Sequence, residues 1–142
     1  MKIKIIYHNP SLIPLEKTEK GDWIDLRAAD TYHLKAGDFA LIDLGVSMKL
    51  PFGYEAHVVP RSSTFKNYGV IQTNSMAVID NSYSGTNDVW KWPIYATRDC
   101  VINLNDRVCQ FRICQSMPFV DFDNVNTLDS EDRNGFGSSG IQ

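Results

Sequence analysis

The sequence lacks an apolar run of about 18 residues, the minimum for a helix that crosses a membrane. Basic residues are not in excess either, because 14 Lys and Arg stand against 17 Asp and Glu and give a formal net charge of -3. That balance argues against general binding to nucleic acid or to an anionic membrane, although it leaves room for a local cationic pocket. The opening residues MKIKIIYHNP carry no apolar signal-peptide core, so we expect a cytoplasmic location.

Cysteine and histidine are too few and too scattered for a disulfide framework or a metal cluster. The three cysteines, Cys100, Cys109 and Cys114, are odd in number and show no CxxC spacing. We interpret them as reduced thiols in the core. The three histidines are far apart in the sequence, so nothing resembles a set of zinc ligands.

Helical periodicity is almost absent, and short apolar runs between turn residues dominate instead. Roughly ten such runs predict an all-β domain, either a barrel or a sandwich, and 142 residues fit one domain. We predict strand structure across residues 38–50, a hairpin within 67–84 and a last strand at 117–125. Trp90 and Trp92 are predicted to pack in the core or at an interface rather than to bind a cofactor.

Phosphate-binding chemistry is concentrated at the start of the stretch from residue 60 to residue 85. Arg61, Ser62 and Ser63 combine a cation with two hydroxyls, a set that suits a phosphate. The two serines could also cap a short helical turn over residues 64–66, whose free N–H groups would face an anion. An ordinary capped turn without a ligand is the alternative interpretation.

A carboxylate and an aromatic ring follow in the same stretch. The apolar pair Val78-Ile79 leads to Asp80, which could activate water or hold a metal. Tyr83 could provide a flat surface beneath a ring. Asn74 lies in the turn of the predicted hairpin, whose backbone donors and acceptors could contact a planar base.

Two further polar residues stand within apolar segments. Asp25 is either a functional carboxylate or a buried structural one. Gln110 alternates with Cys109 and Phe111, which places its side chain on the more polar face of a strand, where it could touch a ligand.

The composition changes near the end of the chain, which becomes rich in Gly, Ser and Asp. We therefore divide the chain into a β-domain, residues 1–125, and a flexible C-terminal arm, residues 126–142. The arm carries a cation, an aromatic ring and two hydroxyls that could close over a bound anion and ring. These residues are Arg133, Phe136, Ser138 and Ser139.

Taken together, these segments resemble the five sequence motifs of the trimeric dUTP diphosphatases (dUTPases). In chain order the matching segments are Ile24–Ala28, Pro60–Ser63, Asn74–Gly85, Asp106–Gln110 and Arg133–Gly140. They keep the order of the family and extend over nearly the whole chain.

The resemblance implies a jelly-roll-like β-barrel and a homotrimer. Each of its three active sites would be built from three chains and covered by the C-terminal arm of one of them. The implied reaction is hydrolysis of dUTP to dUMP and pyrophosphate with Mg²⁺ as cofactor. That activity would keep uracil out of DNA and supply dUMP for dTMP synthesis.

The resemblance also assigns roles at the phosphate end of the site. Asp80 would be the general base that orients water for in-line attack on the α-phosphorus. Arg61, Ser62 and Ser63 would grip the phosphate chain, and Asp25 would hold Mg²⁺ through water. Further phosphate contacts would come from Gln110, Arg133, Ser138 and Ser139.

The remaining implied roles concern the nucleoside. Asn74 and the backbone of Val78 and Ile79 would read the edge of uracil. Tyr83 would pack under the deoxyribose and clash with a 2′-hydroxyl, which selects by exclusion. Phe136 would cover the base.

The chain also departs from the family pattern at several positions. Ala77 stands where glycine is usual, and Ser84-Gly85-Thr86 replaces a common long polar residue followed by Gly-Glu. Arg133 and Phe136 are two residues closer together than usual, so we expect a variant closure of the arm. Arg107, within the fourth motif, is predicted to form a structural or interface ion pair rather than to bind substrate.

Other functions compete with this one. The dCTP deaminases share the fold and an Arg-Ser-Ser segment, but they need a glutamate base, and this chain has no glutamate between Glu55 and Glu131. A regulatory module, in which a dUTPase-like trimer controls a protein partner through its arm, is compatible with catalysis and stays open. A purely structural β-domain would leave the five motifs unexplained.

Overall fold

The computed structural model describes residues 1–135, which fold into eleven β-strands and one short α-helix. This architecture confirms the prediction of an all-β domain. The helix, α1, spans Thr64–Tyr68, and no helix within the described residues is long and apolar enough to cross a membrane. The strands are β1 (Lys4–Tyr7), β2 (Ile24–Arg27), β3 (Tyr32–Leu34), β4 (Phe39–Asp43), β5 (Val46–Lys49), β6 (Tyr54–Pro60), β7 (Val70–Gln72), β8 (Ala77–Ile79), β9 (Lys91–Ala96), β10 (Cys100–Ile102) and β11 (Arg107–Gln115).

Two central strands, β6 and β11, organise the largest sheet. They pair antiparallel, with Cys109 opposite Pro60 and Gln110 opposite Val59. Strand β2 adds to the other side of β11 and β8 to the other side of β6, which gives the order β2-β11-β6-β8. A second sheet has the order β4-β9-β7, and two-stranded ribbons join β1 to β5 and β3 to β10.

The two tryptophans lie at the centre of the core. Trp90 is 1% exposed and Trp92 is 0% exposed. The rings of Trp90 and Phe111 pack edge to face, with centroids 5.2 Å apart and planes at 83°. This arrangement is favourable for aromatic rings, and it gives both tryptophans the packing role predicted from the sequence.

The prediction of a hairpin within residues 67–84 is wrong. Strand β7 pairs with β9 and β8 pairs with β6, so the turn between β7 and β8 carries the chain from one sheet to the other. Ser75 takes a positive φ of 60° in this turn. The sequence pattern could not reveal the difference, because two short strands joined by a turn look alike whether they pair with each other or with separate sheets.

The strand structure predicted across residues 38–50 is interrupted at Leu44 and Gly45. The first part, β4, pairs with β9, and the second part, β5, pairs with β1. Gly45 has a φ of 69°, and a Cβ there would lie 2.7 Å from the Cβ of Ala29. The chain can switch sheets here because glycine tolerates both the backbone conformation and the close approach.

The last strand predicted at residues 117–125 is not formed. Strand β11 ends at Gln115, and three apolar side chains beyond it are largely exposed: Met117 at 78%, Phe119 at 94% and Phe122 at 91%. A strand needs an edge to pair with, and this segment pairs with none in the described part of the chain. The domain boundary placed at residue 125 stays a prediction.

All three cysteines are free, but only Cys109 is fully buried, while Cys100 and Cys114 are partly exposed. Burial, and after it the negative charge of Asp25, raises the pKa of the Cys109 thiol well above its ordinary value. The interpretation as core thiols therefore holds fully for Cys109 alone.

Candidate active site

The segment Arg61–Ser63 joins β6 to α1, and a buried threonine fixes its course. The Thr64 hydroxyl accepts a hydrogen bond from the Arg61 N–H at 2.9 Å and donates one to the Val108 carbonyl at 2.8 Å. Thr64 is only 1% exposed. The predicted helical turn is present, but the Ser63 side chain at its N-cap makes no capping hydrogen bond. The prediction that Ser63 caps the helix was therefore wrong, because its hydroxyl makes no capping hydrogen bond.

The helix α1 is tied to the loop that begins the fourth motif. The Tyr68 hydroxyl donates to Oδ2 of Asp106 at 2.9 Å, and the same oxygen accepts the Asn103 N–H at 2.9 Å. Burial first, and then the hydrogen bond to Asp106, raises the pKa of Tyr68 to about 12. The phenol therefore stays protonated and keeps donating this hydrogen bond at physiological pH.

Strand pairing assembles the first, second and fourth motifs into one cluster. Asp25 on β2 lies opposite Gln110 on β11. The Arg61 Nε lies 3.1 Å from Asp25 Oδ1, and the Arg107 Nη1 lies 3.8 Å from Asp25 Oδ2. Gln110 donates through Nε2 to the Pro60 carbonyl at 3.2 Å. We call Asp25, Arg61, Arg107 and Gln110 the anion cluster.

Positive charge exceeds negative charge at the anion cluster. Arg27 lies beside it, and burial followed by the like charge of Arg107 lowers the pKa of the Arg27 guanidinium, while Asp25 and Glu16 act in the opposite direction. Three guanidinium groups, including that of Arg61, therefore share two carboxylates. This excess suits a polyphosphate.

The residues present fit a hydrated metal ion better than one enclosed by the protein. Within residues 1–135, no group of three or more His, Cys, Asp or Glu side chains could hold a metal. Mg²⁺ keeps most of its water and is commonly held by one or two carboxylates together with substrate phosphates. Asp25 could take part in such an arrangement through water, and its role at a metal stays a prediction.

A cleft of about 370 Å³ lies beside β8 and contains most of the third motif. Tyr83 is held there by its hydroxyl, which donates to the Val89 carbonyl at 2.9 Å. We call this space the β8 cleft. Its lining residues are Ala77, Val78, Ile79, Asp80, Ser82, Tyr83, Trp90 and Lys91.

Asp80 presents an ionised carboxylate to the β8 cleft. The backbone N–H and the hydroxyl of Ser82 both donate to Asp80 Oδ1. These hydrogen bonds, that of the hydroxyl first, lower the pKa of Asp80 below its ordinary value. Both fall on Oδ1, and Oδ2 accepts no hydrogen bond from residues 1–135, so Oδ2 is the oxygen left to contact water.

Asn74 is exposed in the turn that precedes β8 and is not among the residues that line the β8 cleft. Its Oδ1 accepts a hydrogen bond from Gln72 Nε2 at 2.9 Å. The strand that follows it presents Val78, which is 55% exposed, to solvent.

The anion cluster and the β8 cleft do not meet within one chain. Strand β8 runs antiparallel to β6 with Ile79 opposite Ala56, so Asp80 continues towards Glu55 at the start of β6. Arg61 follows the other end of the same strand. The extended backbone between Glu55 and Arg61 covers about 20 Å, too far for both groups to touch the same phosphate.

The predicted residues of the arm are only partly described. Arg133 is exposed and belongs to no strand. Phe136, Ser138 and Ser139 lie outside the described residues.

Three residues that shape the site escaped the sequence analysis: Thr64, Gln72 and Ser82. The Asp-x-Ser spacing could have indicated Ser82, because an aspartate often accepts the N–H two residues further on. Thr64 could not have been found, because its partner carbonyl belongs to Val108, far along the chain. The same holds for Gln72, whose amide meets the Trp92 indole and the Val58 carbonyl only in the folded chain.

Comparison with known proteins gives a consistent result at the sequence level. A family model described as dUTPase matches residues 10–140. The chain is 58% identical over 142 residues to the SPbeta prophage-derived deoxyuridine 5'-triphosphate nucleotidohydrolase of Bacillus subtilis strain 168, with 100% of each chain covered.

The fold also has solved counterparts. The Staphylococcus bacteriophage 80alpha dUTPase, as a mutant with dUpNHpp, superposes with a TM-score of 0.81 at 18% identity, covering 99% of each chain. A mutant dUTPase from phage phi11 of S. aureus, described with a structural Mg(II) ion, gives a TM-score of 0.77 at 16% identity over 92% of this chain and 100% of that one. At such identities the likeness concerns the fold alone.

Proposed function

The chain belongs to the dUTPase family, and on that basis we propose that it hydrolyses dUTP to dUMP and pyrophosphate by attack of water on the α-phosphorus. It is a hydrolase of nucleotide metabolism, as the family match and the relative at 58% identity indicate. The observation that carries the mechanism is the ionised carboxylate of Asp80 at the edge of the β8 cleft.

Asp80 is the proposed general base. Ser82 binds one oxygen of the carboxylate and favours its charged form, so Oδ2 can accept a proton from the attacking water at neutral pH. A positioned carboxylate of this kind contributes roughly 10²–10⁴-fold to a rate.

The anion cluster is the proposed binding site for the triphosphate, with Arg107 kept in its ion pair with Asp25 rather than on the substrate. Arg61, Ser62 and Ser63 would donate to phosphate oxygens, and Gln110 would lie near the α-phosphate. The Arg61 guanidinium already makes one ion pair, with Asp25. Binding would add charge-assisted hydrogen bonds from its remaining donors, and these are stronger than neutral ones.

Mg²⁺ is the proposed cofactor, with Asp25 holding it through water. When bound with the triphosphate, the ion would neutralise phosphate charge. The fit of Asp25 to a hydrated ion supports this proposal.

The nucleoside is proposed to enter at β8. Asn74 and the backbone of Val78 and Ile79 would read the edge of uracil. Tyr83, whose hydroxyl is fixed on Val89, would present a rigid ring under the deoxyribose and leave no room for a 2′-hydroxyl.

A homotrimer is the proposed assembly, because a single chain keeps the two halves of the site about 20 Å apart. A neighbouring chain would bring its anion cluster to the β8 cleft and close the gap. A second support is the segment 117–125, where Phe119 and Phe122 are more than nine-tenths exposed. Apolar side chains exposed to that degree favour burial against another chain.

The C-terminal arm, residues 126–142, is proposed to close over the completed site. Its Arg133 would meet the γ-phosphate and Phe136 would cover the uracil, with Ser138 and Ser139 on phosphate oxygens. The cytoplasmic location stays a prediction.

The test is a hydrolysis assay with Mg²⁺ on dUTP, dCTP, dTTP and UTP in parallel. We expect dUMP and pyrophosphate from dUTP and far slower turnover of the other three, because each differs at the base edge, at the 5-methyl group or at the 2′-hydroxyl. Rapid conversion of dCTP into a deaminated product would overturn the proposed function.

A further inference from the structure

Gln72 is a buried polar residue at the end of β7, and its amide is fully used. It is 4% exposed. Its Oε1 accepts a hydrogen bond from the Trp92 indole at 2.7 Å, and its Nε2 donates to the Val58 carbonyl at 2.9 Å and to Asn74 Oδ1 at 2.9 Å. Both Nε2 hydrogens therefore have acceptors.

The orientation of this chain of hydrogen bonds follows from the chemistry of its ends. An indole N–H can only donate, so the Gln72 atom that faces Trp92 must be its oxygen. A backbone carbonyl can only accept, so the atom that faces Val58 must be the nitrogen. The second hydrogen of that nitrogen needs an acceptor, and Asn74 can supply one only through Oδ1.

The consequence appears on the other side of the Asn74 amide. With Oδ1 turned towards Gln72, the amide group that faces away from Gln72 is Nδ2, which is a donor. We infer that Gln72 is a positioning residue that fixes the Asn74 amide with its donor towards the substrate, and that this selects a pyrimidine with a 4-oxo group over one with a 4-amino group. The inference rests on the proposed role of Asn74 in reading the base.

The base edges explain the direction of this selection. Uracil presents a carbonyl acceptor at position 4, which can receive a hydrogen bond from Asn74 Nδ2. Cytosine presents an amino donor at the same position, so two donors would face each other and a buried hydrogen bond would be lost. A free amide could rotate by 180° and accept from cytosine, but Gln72 opposes that rotation.

The experiment compares wild type with Gln72→Met, which keeps the approximate length of the side chain and removes both polar groups. The readout is the ratio of kcat/KM for dUTP to kcat/KM for dCTP, each measured as release of pyrophosphate, together with the ratio of the Kd of dCMP to the Kd of dUMP. We expect both ratios to fall about tenfold. A smaller folded fraction would lower the apparent kcat/KM for dUTP and for dCTP by the same factor and would leave the ratios unchanged.

The matched control is Val70→Ala. Val70 is 2% exposed on the same strand, and its replacement by alanine removes packing but no hydrogen bond. We expect it to keep the wild-type ratios. Asn74→Ala supplies a second background: if Gln72 acts through Asn74, adding Gln72→Met there should change neither ratio further.

Three results would overturn the inference: unchanged ratios in Gln72→Met, an equal fall in Val70→Ala, or a full additional fall in the double variant. Failure of the proposed function looks different, because wild type would then release no pyrophosphate from dUTP. The monophosphate binding ratios test Gln72 in that case as well.

Discussion

At the scale of single residues, the chemistry of the site depends on the hydrogen bonds that Ser82 donates to Asp80. Asp80 is exposed, so water would otherwise be its main partner. Two hydrogen bonds from one serine bind a single oxygen and favour the charged form. Such a carboxylate is always ionised near neutral pH and keeps its second oxygen free, which are the two conditions for a base that accepts a proton from water.

Asp80→Asn should abolish turnover and leave nucleotide binding nearly intact. The amide keeps the shape of the side chain but cannot accept the proton, so kcat should fall by roughly 10²–10⁴-fold. Single-turnover kinetics and calorimetric titration with a non-hydrolysable dUTP analogue would separate the two effects. A variant with a near-normal rate would show that Asp80 is not the base.

Ser82→Ala should move the acidic limb of the pH–rate profile. Hydrogen bonds to the charged form hold the pKa of Asp80 below its ordinary value, so loss of the hydroxyl should raise that pKa. Protonation would then inactivate the enzyme at a higher pH, and the acidic limb of kcat/KM should shift upward. Ser84→Ala serves as the control and should keep the limb in place; a shift downward or none in Ser82→Ala would contradict this account.

At the scale of elements, the placement of Arg61 depends on the short helix α1, which is too brief to be stable alone. It ends at Gly69, which adopts a left-handed φ of 66° and donates its N–H to the Phe65 carbonyl at 2.7 Å. Arg98 then donates to the Lys66 carbonyl at 2.8 Å. These contacts and the Tyr68–Asp106 hydrogen bond hold the helix from outside.

Gly69→Ala should lower the free energy of unfolding by about 1–2 kcal/mol or more, because a Cβ there meets both backbone strain and a close neighbour. That Cβ would lie 2.7 Å from Cγ of Arg98. Gly53→Ala is the matched control, because Gly53 has a φ of 84° with nothing within 4 Å of its Cβ. Urea unfolding should show the larger loss for Gly69→Ala; equal losses would mean that Arg98 moves aside freely.

Deletion of residues 133–142 should reduce turnover strongly and leave thermal unfolding nearly unchanged. Residues 126–135 belong to no strand and are exposed, so these ten residues contribute little to the core, whereas the proposed arm contacts lie within the deleted part. Pyrophosphate release and a thermal melt measure the two effects. An unchanged rate would refute a role for the arm in catalysis.

At the scale of the whole molecule, the separation of the anion cluster from the β8 cleft is the feature that leads us to propose an active site shared between chains. Strand β6 keeps Arg61 and Asp80 at its opposite ends. The central sheet is a rigid spacer, so a loop movement of a few ångströms could not close a gap of about 20 Å. Association with a neighbouring chain is the simplest way to bring the two groups together.

Two inactive variants should therefore restore activity when they are mixed. Arg61→Ala would lack the proposed cation and Asp80→Asn the proposed base, but in a mixed trimer some sites would receive the intact residue of each type from different chains. Random assembly in equal amounts should restore about a quarter of the sites. The assay is pyrophosphate release after joint refolding, with each variant refolded alone as the control. No recovery in the mixture would indicate that both residues serve one site from the same chain.

The fold class, the family and the identity of the chemical groups could all be predicted from the order of the residues. Alternation of apolar residues is a local property of the chain, so it predicted an all-β domain without reference to any partner strand. The motif residues could be found in the same way, because Arg61 and Asp80 lie in short segments with recognisable neighbours.

The pairing of the strands and the contacts between side chains could be read only from the folded chain. The predicted hairpin failed because β7 and β8 pair with β9 and β6, contacts between segments that are distant in sequence. The segment 117–125 has the pattern of a strand, yet it pairs with no strand among residues 1–135. Gln72 and Thr64 act on the site through Trp92 and Val108. A hydrogen bond depends on distance and direction in space, and a linear pattern contains neither until the chain has folded.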